Sequence, residues 1–325
     1  MDQNGFREVL RGREVSEDRI ESSVAIADKF ERWLGDKSPT KDDVVAFSTL
    51  MIRDGQNTYE NYVALARYGR FLKNDAVYIA VVELLDGAEA MDNLHKRLAQ
   101  VVGEQKRDKV FQGITLPVLG TPNTQRPPTT QAVMECLENL VAPETYRPLL
   151  ANCLRTLGDR DSAERDKYLA CKNLDEFLQK KGDEFIAYLE QLKRENRLYF
   201  TQEITDEVIA YVENHLEIRQ GVRVGNVIYE AKIPYNTVAY LAATDERMKR
   251  YHYCHCPWVK ESLRTNAVRV SPTFCLCSAG FHKKYWEGVF GQPLKADVVE
   301  TVLQGDSWCK FAIHLPANYE ESARR

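Results

Sequence analysis

Apolar positions over the first two-thirds of the chain recur at helical spacing. In RIESSVAIADKFERWL, Ile20, Val24, Ala27, Phe30 and Leu34 stand three and four residues apart, which predicts one apolar helix face. The next run, SPTKDDVVAFSTLMI, opens on Thr40 with Asp42 and Asp43 behind it, an N-cap followed by an acidic first turn. NTYENYVALARYGRFL, DAVYIAVVELL and a longer run, AEAMDNLHKRLAQVVGEQKRDKVF, read the same way, separated by the short polar or glycine-bearing breaks GDKS, RDGQN, KND and DG. The pattern stops at Gly113–Thr130, where four prolines and two glycines oppose a helix; this stretch is either a linker between subdomains or a long ordered crossover. Helices resume with TQAVMECLENLV, with PETYRPLLANCL, whose Pro143 suits a first helical turn, and with SAERDKYLACKNLDEFLQKKGDEFIAYLEQLKREN. Cys136, Cys153 and Cys171 fall in these runs on apolar faces and read as small buried side chains.

The pattern changes near Leu198. After one more helix, TDEVIAYVENH, the segments GVRVGNVIYEAKIPY and VSPTFCLCS are alternating or rich in β-branched residues, and KADVVETVLQ and WCKFAIHL are further strand-like runs. GFHKKYWEGVFG between them predicts a helix closed by Gly291, and Gly305-Asp306 is a hairpin turn signal. The expected fold class is α+β: a mostly helical region over 1–197, in one piece or two split near 113–130, then a smaller mixed α+β domain over 198–325 with an antiparallel sheet.

A chain of 325 residues is long enough for two domains. Its formal charge of −4 gives no electrostatic footprint for wrapping nucleic acid, so no nucleic-acid partner is expected. No stretch approaches the roughly 18–20 apolar residues of a membrane span, and the charged opening MDQNGFREVLRGREVSEDR lacks the apolar core of a signal peptide. These features predict a cytoplasmic location with reduced thiols. There, clustered cysteines point to metal binding or reactivity rather than to a disulfide framework.

The cysteines are clustered. Five of eight lie in the last quarter: Cys254 and Cys256 flank His255 in YHYCHCPW, Cys275 and Cys277 alternate in FCLCSAGF, and Cys309 follows. In an extended segment Cys-x-Cys turns both sulfurs to one face, and four such thiolates suit tetrahedral zinc. A metal site, an unliganded thiol cluster and a redox dithiol all remain open at this point. As a nucleophile, one of Cys254, Cys256, Cys275 or Cys277 would need a base such as His252, His255 or His282. Around the cysteines the chain is dense in aromatics. Tyr235, Tyr240, Trp258 and Trp286, with Lys232 amid the apolar residues of AKIPY, are candidates for a pocket that holds a small organic molecule.

The stretch from Cys277 through SAGFHKKYWEGVFGQPLKADVVE to Cys309 resembles the end of the 4-vinyl reductase-like domain, a superfamily that includes small-molecule-sensing domains. The resemblance covers about the last 120 residues. It implies a zinc site in which Cys277 is the first ligand, Glu300 the carboxylate and Cys309 the last ligand. The family's third ligand falls on Leu303 here, so a ligand has to come from Cys254, Cys256 or Cys275. The same region is similar to ATC hydrolase-like proteins, which implies a cysteine- or metal-dependent hydrolase as the alternative. The whole chain further resembles a bacterial family with KIPY and CHCPW segments, which supplies no activity. Together these imply a small-molecule-binding or sensing protein with a Cys-rich structural zinc site, iron being the other metal to consider. The helical region then serves as an output or oligomerisation module, compatible with a homo-oligomer.

Overall fold

The computed structural model describes residues 1–156, 161–316 and 319. It divides into two compact units, Met1–Ala88 with Leu116–Arg126, and Glu89–Thr115 with Pro127–Arg325.

The first unit is a helical bundle: α1 (Gln3–Arg11), α2 (Glu17–Leu34), α3 (Lys41–Arg53), α4 (Tyr59–Phe71) and α5 (Asp75–Leu85). The predicted stripe on α2 is buried against Phe6, Phe47, Tyr62 and Tyr68. Thr40 begins α3 through a capping box with Asp43. The proline-bearing segment is an ordered crossover docked on this unit. Ser48 donates to the Gly120 carbonyl at 2.8 Å, and Asn57 donates to the Leu119 carbonyl at 3.0 Å. Gly120 has φ +88 and sits where any Cβ would collide with the Tyr62 hydroxyl, so only glycine fits.

The second unit holds the remaining helices and the sheet. Its helices are α6 (Ala90–Val102), α7 (Glu104–Val110), α8 (Pro127–Leu140), α9 (Pro143–Leu150), α10 (Asp161–Leu169) and α11 (Leu174–Arg194), then α12 (Asp206–Glu213), α13 (Leu216–Arg219), α14 (Thr237–Ala242), α15 (Glu246–Tyr253), α16 (Lys260–Thr265) and α17 (Leu276–Phe290). Two of the long predicted helices are broken. Gly103, at φ +83, separates α6 from α7, and a turn ending on the N-cap Asn173 separates α10 from α11. The strands β1 (Val222–Val224), β2 (Val227–Ala231), β3 (Lys295–Glu300) and β4 (Lys310–His314) form an antiparallel sheet in the order β1-β2-β4-β3.

The fold is therefore α+β, as the pattern predicts, but the division is not at 198. Helix α17 lies on the sheet, and its Trp286 and Val289 pack with Phe177 of α11 and with Ile228, Phe311 and Ile313 of β2 and β4. A second apolar cluster joins Leu189 and Leu192 of α11 to Val208 and Val212 of α12 and to Ile233. The helices before 198 thus supply apolar faces that the small sheet needs for burial. Among the described residues no helix is long and apolar enough to cross a membrane.

Candidate functional site: a thiol-lined cavity

The KIPY and YHYCHC segments are neighbours. The N–H groups of Tyr235 and Asn236 donate to the carbonyls of Tyr253 and His252 at 3.2 and 3.0 Å. The fully buried Tyr253 donates its hydroxyl to the Lys232 carbonyl at 2.6 Å and also lies 3.4 Å from the Cys309 carbonyl. This one side chain therefore ties the end of α15 to the end of β2 and the start of β4. Cys254 ends α15 in an extended conformation (φ −69, ψ 125), so the chain leaves the helix as the CHC strip.

That strip forms one wall of a cavity of about 20 Å³, room for a single water-sized occupant. Four cysteines, Cys254, Cys256, Cys275 and Cys309, line it, drawn from three separate stretches of chain. Lys232, His255 and Ser278 are further polar walls, and Tyr253, Val302 and Phe311 close it. Hydrogen bonds position the sulfurs. Cys275 Sγ is 3.1 Å from the hydroxyl of fully buried Thr301, and Cys309 Sγ is 3.9 Å from the same oxygen. The backbone of Cys256 lies against the Cys254 sulfur and that of Val302 against the Cys309 sulfur, each favouring the thiolate.

Burial sets the protonation states. It pushes the thiols of Cys254, Cys275 and Cys309 up, so that they are neutral at pH 7. Burial, reinforced by the charge of Arg155, pushes Lys232 down, while Cys309, Cys256 and Cys277 pull it back up. The ammonium lies 3.4 Å from Ser278 Oγ and 5.0 Å from the Phe281 ring centre. His255 is held neutral, well below its ordinary value, by burial and then by the charge of Lys232. Its Nε2 lies 2.7 Å from the Ile233 carbonyl, so Nε2 carries the proton and Nδ1 the lone pair.

The remaining predicted residues lie elsewhere. The Glu300 carboxylate accepts the Trp308 indole N–H at 2.7 Å and does not line the cavity. Cys277 turns away from it, and the reason is secondary structure. FCLCS is not extended; Cys275 ends a short 3₁₀ turn and Cys277 belongs to α17. Residues two apart on a helix point to nearly opposite sides, so Cys275 faces Thr301 while Cys277 faces Cys153. Of the three ligands implied by the resemblance, Cys277, Glu300 and Cys309, only Cys309 lines the cavity.

Of the aromatic candidates, Trp286 is fully buried in the core under the sheet, and Trp258 is 2 % exposed. Tyr240 packs edge-on against Tyr211 and Tyr253, while Tyr235 meets the His255 ring and carries the Lys260 ammonium 3.6 Å above it. Lys232 alone of that set lines the cavity. His282 belongs to a different network, with Nδ1 2.8 Å from Glu230, which also takes Lys181 at 2.7 Å.

The donor chemistry, four soft thiols with a neutral histidine beside them, suits zinc. Among the described residues no three Cys, His, Asp or Glu side chains are gathered tightly enough to hold an ion, so binding requires the cysteine side chains to turn inward. Sequence reading missed Cys153. It lies beyond the end of α9, in the left-handed region at φ +45, not on a helix face. Cys171 also follows a helix, with its thiol 3.3 Å from the Lys167 carbonyl, and only Cys136 of the three is helical. The one signal toward Cys153 was Gly280, a lone glycine in a helical run, which marks close backbone approach.

Compared with protein-family models, with curated proteins and with solved structures, the chain finds no match.

Proposed function

We propose that this protein binds one thiophilic metal ion, zinc first among them, in the cavity lined by Cys254, Cys256, Cys275 and Cys309. The observation that carries the reading is the convergence of four thiols from three chain segments on a space the size of one ion. Backbone already set against two of the sulfurs favours the thiolate form that a metal needs. Four thiolates around a divalent ion carry a net charge of −2, and the buried Lys232 ammonium supplies compensating charge. His255, with Nδ1 unprotonated and Nε2 fixed by a backbone carbonyl, has the arrangement of a metal-binding imidazole and is the reserve ligand if one cysteine stays out.

A site filled by four protein ligands leaves no open position for Lewis-acid chemistry. Its role is then to hold the CHC strip, the start of α17 and the β3–β4 turn together. The cavity has no space for an organic ligand, so any sensing would be of the ion itself. The thiols must stay reduced for this, which places the protein in a reducing compartment such as the cytoplasm.

Elemental analysis of untagged protein purified without added metal tests the reading. A single ion per chain is expected, absent from Cys254→Ser and Cys309→Ser and retained in Cys136→Ser. Metal-free wild type that does not take up zinc on addition would overturn it. An iron content in place of zinc would revise the ion and keep the site.

A further inference from the structure

Cys153 and Cys277 lie outside the four-thiol cavity and beside each other. The turn that carries Cys153 is strained, since φ +45 is a region that non-glycine residues occupy at a cost. Helix α17 presses onto this turn. A Cβ on Gly280 would collide with the Ala151 carbonyl and with the Cys153 backbone nitrogen, and one turn further on Lys283 reaches Asn152 Oδ1 at 3.1 Å. Cys277, one turn before Gly280 on the same face, is therefore delivered to Cys153.

The two thiol groups are neighbours and each perturbs the other strongly. The Leu154 N–H donates to Cys277 Sγ at 3.3 Å, and the Arg155 N–H donates to Cys153 Sγ. The Arg155 N–H favours a thiolate on Cys153, and the Leu154 N–H holds the Cys277 sulfur against the same turn. Its neighbour Cys277 pulls Cys153 below the ordinary thiol value against the opposing effect of burial, with the charges of Arg155 and Lys232 assisting. A thiolate touching a second thiol, held by backbone donors and facing cations, is the arrangement of a redox dithiol.

We propose that Cys153 and Cys277 are a peroxide-responsive pair, closed to an intramolecular disulfide by a small hydroperoxide. The Cys153 thiolate attacks one peroxide oxygen and the O–O bond breaks. Cys153 becomes a sulfenic acid, and the departing alkoxide or hydroxide takes a proton from water. Cys277 then attacks the Cys153 sulfur; the S–O bond breaks, the S–S bond forms, and hydroxide leaves with the Cys277 proton as water. Two electrons pass from the sulfurs to the peroxide, and a thiol reductant reverses the change. The disulfide joins α17 to the turn after α9, on the opposite side of α17 from Cys275.

The test uses the full-length wild type, exposed to a stoichiometric amount of hydrogen peroxide, with free thiols then blocked by iodoacetamide. Peptide mapping without reduction should show Cys153 joined to Cys277, with fragmentation separating Cys277 from Cys275. The same result is expected with zinc added and with chelator added, because neither sulfur lines the cavity; the pair thus stands or falls apart from the metal reading. Cys277→Ser should halt at a sulfenic acid on Cys153 that dimedone traps, and Cys153→Ser should yield neither product. Cys153 and Cys277 both recovered alkylated, or a disulfide formed instead among the cavity cysteines, would overturn the proposal. The wild-type map decides even if a variant fails to fold.

Discussion

The Cys275 sulfur and the Thr301 hydroxyl lie 3.1 Å apart across 26 residues of chain. Because Cys309 shares that hydroxyl, Thr301 holds two of the four cavity thiols in place. Thr301→Val keeps the shape and removes the oxygen. The variant should lose about 1–3 kcal/mol of stability, the cost of leaving buried polar groups unpartnered. Its zinc affinity should fall on the order of 10- to 100-fold, as for loss of an outer-shell partner. Urea titration measures the first, and competition against a chromogenic chelator the second. Unchanged zinc affinity would separate Thr301 from the metal.

The Lys181–Glu230–His282 network predicts acid sensitivity. Burial opposes ionisation of Glu230, but the charge of Lys181 and the hydrogen bonds from His282 and Lys181 outweigh it and hold the carboxyl at about 2. The folded value lies below the ordinary 4.5. The network's contribution is therefore fully present above pH 4.5 and is lost as pH falls toward 2. His282 is pushed down, chiefly by burial, so the folded state also resists its protonation below 6.5, in the same direction. Glu230→Gln should cost about 1.5–3 kcal/mol at pH 7, as for a hydrogen bond to a charged group, and should flatten the acid limb between pH 4.5 and 2. Chemical denaturation across that range checks both; parallel curves for wild type and variant would refute the assignment.

Gly280→Ala tests the close approach of α17 to the turn at Cys153. The new methyl would meet backbone atoms, which cannot swing aside. A loss of about 1–3 kcal/mol is expected for such overpacking, together with slower closure of the Cys153–Cys277 disulfide. Thermal unfolding and timed thiol blocking report the two effects. Wild-type behaviour in both would show that the helix and the turn are not in contact.

Much of the fold was legible because local signals agreed with tertiary need. The stripe on α2, the Thr40 cap, Pro143 at the start of α9 and Gly291 at the end of α17 all lie where the pattern puts them. Helix ends set by a single residue were harder. Gly103 breaks a run that is otherwise helical in period, and its φ of +83 is fixed only in the folded chain. Of the site, the gathering of cysteines was visible in composition, but its partition was not. FCLCS has the residues of a strand and folds as the start of a helix, which sends Cys275 and Cys277 to opposite sides. Cys153 is more than a hundred residues from Cys277, and nothing local in NCL announces the pairing. The aromatic residues were misleading for a physical reason: Trp286 and Trp258 answer the demand of the core for large apolar side chains, a demand that sequence alone cannot tell from pocket lining.

Cobalt(II) substitution shows whether the four thiols bind one ion together. Four-thiolate binding predicts saturation at a single equivalent, with an intense thiolate-to-cobalt charge-transfer band and the visible absorption of a tetrahedral site. Zinc should abolish both, and Cys309→Ser should weaken both. Cobalt titration that leaves the spectrum at that of the hydrated ion, with all eight cysteines still open to thiol reagents in the unfolded protein, would contradict it.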